Sequence, residues 1–169
     1  PEAFLRSATI LINEQGYRGA SVEKISARLN VTKGSFYHHN DNKDDLIADC
    51  FARTFAVVRQ VQRAAETTGQ TGWDRLCTAA DELVRYQLSE QGPLLRNSAF
   101  SALPEALRHE MKRTMDRLAL RFGGLIVEGM VDGSIRPLDP AVAARLIDSM
   151  VNAAVEVRRW VPGITIDTV

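Results

Sequence analysis

The sequence predicts an all-α protein, with an N-terminal three-helix helix-turn-helix domain over residues 1–46 and a C-terminal helical bundle over residues 47–169. Three observations carry this. Apolar residues recur every three or four positions from end to end, and no segment alternates apolar and polar side chains as a half-buried strand would. Cap signals divide the pattern: Ser21, Thr32, Asn42, Thr71 and Asp139 each stand just before a helical run, while Gly16, Gly69 and the pair Gly92-Pro93 interrupt it. Between Gly16 and Leu46 the spacing leaves two short helices around a turn of fixed length, followed by the start of another helix.

The first helix carries Phe4, Leu5, Ala8, Leu11 and Ile12 on one side and stops at Gly16, because glycine tolerates the backbone conformation that ends a helix. The second starts after Ser21, whose hydroxyl accepts an otherwise unpaired amide, and buries Val22, Ile25 and Leu29. Asn30 ends it. A turn between steeply crossing helices needs one left-handed residue, and asparagine is the next best choice after glycine. Val31 fills the core beside the turn, and Thr32 caps the third helix, with Phe36 facing inward. Asn42, with Asp45 three residues on, opens a long fourth helix through Ile47, Cys50, Phe51, Thr54, Val58 and Val61 to the mid-60s. Because this helix joins both domains, it is the natural lever between them.

Thr71 and Asp74 repeat the cap pattern and open a helix with Trp73, Leu76, Cys77, Ala80, Leu83, Val84 and Leu88 on its apolar face. After Gly92 and Pro93, a shorter helix is expected through Leu94, Leu95 and Phe100. Pro104 then starts a long one bearing Leu107, Met111, Met115, Leu118, Phe122, Leu125 and Ile126. Asp132 and Gly133 turn the chain, and Asp139 with Pro140 launches the last helix, which holds Val142, Leu146, Ile147, Met150, Ala154 and Val157. The tail VPGITIDTV is expected to be irregular. No internal repeat or low-complexity tract is present.

The third helix presents the chemistry of a DNA-reading element. Lys33, Ser35, Tyr37 and His38 offer donors to phosphates or base edges beside a helix N-terminus that favours anions. Gly34 costs roughly 1 kcal/mol within a helix relative to alanine, so it implies either close approach of a backbone to DNA or relief of crowding in the three-helix packing. The pair His38 and His39 is not read as a metal site, since neighbouring helical side chains diverge by about 100 degrees. The acids Asp41, Asp44 and Asp45 are better explained as complementing the dipole of the following helix.

Residues Leu5 to Leu46 resemble the DNA-binding domain of TetR-type transcriptional repressors. The resemblance lies in Gly16-Tyr17, the S-V-x-x-I of Ser21 to Ile25, the V-T-K-G-S-F-Y-H-H of Val31 to His39, and the N-K-x-x-L of Asn42 to Leu46. The sequence departs from the family pattern at Asn40, where phenylalanine is usual, and at Asn30, where glycine is usual. The resemblance implies DNA contacts at Ser21, Thr32, Lys33, Gly34, Ser35, Tyr37, His38 and Lys43, with Tyr37 and Lys43 on phosphates and Lys33 and His38 on bases. It also implies a homodimer, a small-molecule effector of unread identity that shifts the connecting helix, and repression of a neighbouring gene. Family members often carry a basic arm before the first helix, so a segment preceding Pro1 is expected.

Basic and acidic residues balance at 21 each, and a basic bias is confined to residues 1–38, where Arg6, Arg18, Lys24, Arg28 and Lys33 face Glu2, Glu14 and Glu23. Modest non-specific affinity follows, with binding leaning on paired contacts of a dimer. No apolar run approaches the ~20 residues of a membrane span. With no signal pattern at the start, a cytoplasmic protein is expected. Cys50 and Cys77 fall on apolar faces and are expected to be buried hydrophobes without a disulfide. Catalysis is disfavoured, since no metal-binding helix motif, phosphate loop or nucleophile elbow appears and His109 stands among charged neighbours. No cofactor is implied. The rival is a helical ligand-binding or adaptor protein without DNA binding.

For the dimer, the last two long helices carry more apolar surface than one subunit easily buries. Leu118, Phe122, Leu125, Ile126, Leu146, Ile147, Met150, Ala154 and Val157 would form a four-helix interface about a two-fold axis. Two recognition helices would then sit roughly 34 Å or a multiple apart, and the operator would be an inverted repeat. Candidate effector-lining residues are Tyr86, Arg96, Phe100, Phe122, Asn152, Glu156 and Trp160. Plain core packing is the competing explanation for the aromatics, and solvated charge for Arg96 and Glu156. Asn152, polar within an apolar helix, calls for a ligand or a cross-dimer hydrogen bond.

Overall fold

The computed structural model describes residues 2–39, 42–161 and 163–164, apart from the side chains of Ser35, His38, His39, Ala102, Val155, Arg158 and Arg159. Asn40, Asp41 and most of the tail lie outside the described residues. The chain forms α1 (Glu2–Gly19), α2 (Val22–Arg28), α3 (Lys33–His39), α4 (Lys43–Ala65), α5 (Gly72–Leu88), a 3-10 helix (Asn97–Ala102), α6 (Glu105–Asp132) and α7 (Pro140–Trp160). No strand occurs among the described residues. The helices divide into two compact units: Pro1–Thr54 with Pro93–Lys112, and Phe55–Gly92 with Arg113–Val169.

In the first unit, α1 is broken at Gly16, whose φ of 71° lies in the left-handed region where glycine is favoured. Ala8, Leu11, Ile12, Ile25, Phe36, Leu46, Ile47, Cys50 and Phe51 form its buried core. Phe36 packs at 6.2 Å from the Phe4 ring, and Phe51 meets Phe100 edge-on at 6.5 Å. Asn42 Oδ1 accepts from the amides of Asp44 and Asp45 at 2.7 and 3.0 Å, which caps α4.

Residues 94–96 are extended and not helical, which corrects the expectation of a helix through Leu94 and Leu95. Two side chains satisfy this backbone in place of helical bonds. Asn13 donates to the Leu94 carbonyl at 2.9 Å and accepts from the Arg96 amide at 3.0 Å. Thr54 accepts from the Leu95 amide at 3.0 Å while donating to the Cys50 carbonyl. Buried polar groups must be paired somewhere, and here α1 and α4 supply the partners. Arg53 donates to the Pro93 carbonyl at 3.2 Å and pairs with Glu2.

In the second unit, Thr71 and Asp74 form the expected capping box. The α5 start is tied further by Asp132, which accepts from the Gly72 amide at 2.7 Å, and by Ser134, which accepts from the Trp73 amide at 3.1 Å. A side chain at Gly72 would stand 2.1 Å from the Gly129 nitrogen, so only glycine permits this backbone contact between α5 and α6. Two buried glutamines link helices: Gln62 donates to the Leu118 carbonyl at 2.9 Å and Gln87 to the Val151 carbonyl at 3.2 Å. Asp139 caps α7 through the amides of Ala141 and Val142, with Pro140 in the first turn.

Two apolar assignments change. Cys77 and Trp73 are exposed on α5, whose buried stripe instead runs through Leu76, Ala79, Leu83 and Leu88. Leu118, Phe122, Leu125, Ile126 and Ala154, expected at a subunit interface, are packed inside their own chain and offer almost no surface to a partner. Among the described residues, the exposed large apolar side chains of these two helices are Leu120 (74%), Val127, Val131, Val142, Leu146, Met150 (72%), Val157 and Trp160, with Ile147 half-buried.

Candidate nucleic-acid interface

The turn joining α2 to α3 is built as its residues dictate. Ser21 accepts from the Lys24 amide at 3.4 Å, Asn30 adopts φ 53°, and the Val31 amide closes on the Ser26 carbonyl at 3.0 Å. The Thr32 carbonyl then accepts from the Phe36 amide at 3.1 Å, which opens α3. Phe36 is fully buried and anchors the helix.

Thr32, Lys33 and Gly34 are exposed, and Tyr37 is 52% exposed with its ring set edge-on to Phe36 at 5.3 Å. Ser21 is half-buried at its cap. Ser35 and His38 lie on α3, but their side chains fall outside the described set. Lys43 is tied down within the chain: its ammonium donates to the Tyr17 carbonyl and stands 4.0 Å from the Tyr17 ring centre. Burial lowers its pKa. The Tyr17 hydroxyl donates to Asp44, and burial followed by that hydrogen bond raises its pKa to about 12.

Among the described residues, none crowds Gly34 closely enough to require glycine. A Cβ built there would meet only Thr32 Oγ1 at 3.7 Å, an ordinary contact, and its φ is not left-handed. Among the described residues, no crowding for this glycine to relieve is present.

Sequence reasoning missed how thoroughly the local charges are paired. Each acidic side chain of residues 1–38 holds a basic one: Glu2 with Arg53, Glu14 with Arg28 at 2.6 Å, and Glu23 with Lys33 at 2.6 Å. Lys33, placed among the base readers, thus begins in contact with a carboxylate projecting from α2. The available signal was the opposite charge at the first position of α3 and the second of α2, which a helix pair in contact brings together.

The effector candidates divide between the units. Arg96 and Phe100 belong to the first, where the Arg96 amide is held by Asn13 and Phe100 packs on Phe51. In the second unit, Tyr86 borders an open groove of about 570 Å³ with Val57, Gln60, Val61, Glu82 and Arg85, and no other effector candidate lines it. Phe122 is in the core, Glu156 is half-buried, and Trp160 is 81% exposed. Asn152 donates from its Nδ2 to the Asp148 carbonyl at 2.8 Å within its own helix. Among the described residues no cluster of three metal-binding side chains forms, and no helix is long and apolar enough to cross a membrane.

Comparison with known proteins agrees with this architecture. Residues 4–50 match the family described as bacterial regulatory proteins, tetR family, and residues 69–160 match the tetracyclin repressor-like C-terminal domain. The Transposon Tn10 TetC protein of Escherichia coli is 30% identical over 94 residues, covering 56% of this chain and 47% of its own. This chain thus spans about half the length of that relative. The HTH-type transcriptional repressor DhaR of Mycobacterium sp. (strain GP1) is 29% identical over 136 residues, 79% of this chain and 68% of DhaR. Among solved structures, AibR in complex with isovaleryl coenzyme A and operator DNA shares the fold at a TM-score of 0.78 and 21% identity, covering 98% of this chain and 90% of that one. With one family model matching the N-terminal helices and another matching more than half of the chain beyond them, the protein belongs to the TetR family of bacterial regulatory proteins.

Proposed function

We propose that this protein is a ligand-responsive transcriptional repressor that binds an inverted-repeat operator as a homodimer and is released by a small molecule. Residues 1–46 carry DNA recognition; residues 47–169 carry effector binding and dimerisation. The observation that supports this best is the outward face of α3: Thr32, Lys33 and Tyr37 are exposed around a glycine whose Cβ would make only an ordinary contact with Thr32 among the described residues, above a fully buried Phe36. Lys33 and Tyr37 supply donors for base edges and phosphates, and Ser21, Thr32, Ser35, His38 and Lys43 complete the proposed contact set.

The dimer surface we propose is the exposed stripe of Leu120, Val127, Leu146 and Met150 on α6 and α7. A shallow apolar groove of about 490 Å³ lies there, lined by Leu120, Gly123, Gly124, Val127, Pro140 and Ala144. A Cβ at Gly124 would meet nothing within 4 Å of its own chain, which suits close approach by a second helix.

For the effector, the groove beside Tyr86 is the first place to look, and isovaleryl coenzyme A, present in the AibR complex, is a first compound to test. The protein acts on DNA in the cytoplasm and catalyses no reaction in this scheme. The deciding experiment selects bound sequences from random DNA and measures their affinity by fluorescence anisotropy. An inverted repeat whose binding is lost in Lys33→Ala and Tyr37→Ala is the expected result. Unchanged affinity in both variants would remove α3 from the reading.

A further inference from the structure

We propose that Glu23 is a specificity-determining residue of the DNA-reading surface: it holds the ammonium of Lys33 and faces the duplex with its own negative charge, so that Lys33 is given up only to a base edge that outcompetes a carboxylate. This rests on the DNA-binding reading above. Glu23 Oε1 lies 2.6 Å from Lys33 Nζ, and both side chains are more than half exposed. The carboxylate is not held by Lys33 alone. Its pKa is lowered to about 2, first by the Lys33 hydrogen bond, then by its own backbone amide and by the Ser21 hydroxyl, so it stays ionised at any pH at which the protein would work.

The physical argument separates two kinds of DNA contact. Non-specific affinity comes from cations that neutralise phosphates and release counterions, each contributing about −0.9 to the slope of log K against log salt. A lysine already neutralised by a carboxylate contributes little to that term, and the carboxylate itself repels the phosphate rail. A base edge offers something different. Guanine O6 and N7 accept from a lysine, while cytosine N4 donates to a carboxylate, so both members of the pair can find partners at a matching site. An exposed ion pair is weak enough to be opened by such an exchange. Glu23 therefore suppresses binding to arbitrary duplex more than binding to the operator.

The test uses Glu23→Gln in the full chain, with anisotropy titrations on a random-sequence duplex and on the selected operator between about 50 and 300 mM salt. The variant should bind random duplex about 3- to 10-fold more tightly and show a slope steeper by about one, so that its ratio of operator to random-duplex affinity falls by at least about 3-fold. The same substitution in a Lys33→Met background should give a clearly smaller gain, from relief of the carboxylate's repulsion of phosphate alone. DNA binding with unchanged random-duplex affinity and slope overturns the inference alone, as does an equal gain in the Lys33→Met background. A wild-type protein that binds no duplex at the lowest salt overturns the DNA-binding reading and the inference with it. Both side chains are exposed, so matching thermal melts are expected and confirm that folding is not what changed.

Discussion

Replacing Gly34 with alanine separates folding from DNA recognition. Among the described residues the new methyl would meet only Thr32 Oγ1 at 3.7 Å, an ordinary contact that does not resist it. Alanine is favoured over glycine in a helix by roughly 0.5–1 kcal/mol, partly because the unfolded chain loses less freedom on folding. For a chain of this size that corresponds to a rise in Tm of about 1–4 °C. At the DNA the same methyl intrudes where the helix backbone would come closest to the duplex. A loss of at least tenfold in operator affinity is expected, about 1.4 kcal/mol. Differential scanning fluorimetry and anisotropy on one preparation read both quantities. A variant that melts higher and binds DNA as tightly as wild type would refute the close-approach argument. One that melts several degrees lower would show that α3 needs its glycine for internal reasons.

Other outcomes follow from the same geometry. Met150→Glu or Leu146→Asp should weaken self-association by at least about tenfold, read by sedimentation velocity across a dilution series, because each places a charge in the exposed α6–α7 stripe. Leu120→Asp should act in the same direction. With an Ellman-type reagent near pH 8, the folded protein should yield one fast thiol, Cys77, while Cys50 stays protected: burial raises its pKa to about 11. Two fast thiols would contradict the packing around Cys50. Tyr17 holds its proton to about pH 12 in the folded chain against 10.0 ordinarily, so the folded state binds the extra proton. The stability this gives is complete below pH 10 and declines as pH rises toward 12. Tyr17→Phe should therefore flatten the fall in urea-measured stability over that window, and an unchanged slope would remove Tyr17 as its cause.

The helix ends and the α2–α3 turn were legible in the sequence because local chemistry decides them. Ser21, Asn30, Asn42, Thr71 and Asp139 each do what their side chains favour at a helix end or turn, without help from distant residues. Periodicity was a poorer guide wherever two faces of one helix are both apolar. On α6 it could not distinguish Leu118, Phe122 and Leu125, which turn inward, from Leu120 and Val127, which turn outward, because the difference is set by where α4 and α7 pack. The extended piece at 94–96 was missed for a related reason. Its backbone partners, Asn13 and Thr54, lie about 80 and 40 residues away, beyond any local pattern. The candidate DNA contacts were read from residue types, yet the Glu23–Lys33 pair needed the crossing of α2 and α3 to become visible.

The stitching of residues 94–96 by Asn13 and Thr54 bears on how such a protein could be cut and rejoined. A graft that carries only residues 1–54 onto a foreign body leaves those two polar groups and the Phe51 ring without the backbone and the Phe100 they hold. Chimeras meant to exchange operator preference should therefore transplant residues 93–112 along with the amino-terminal helices, or supply a recipient loop able to take the same bonds.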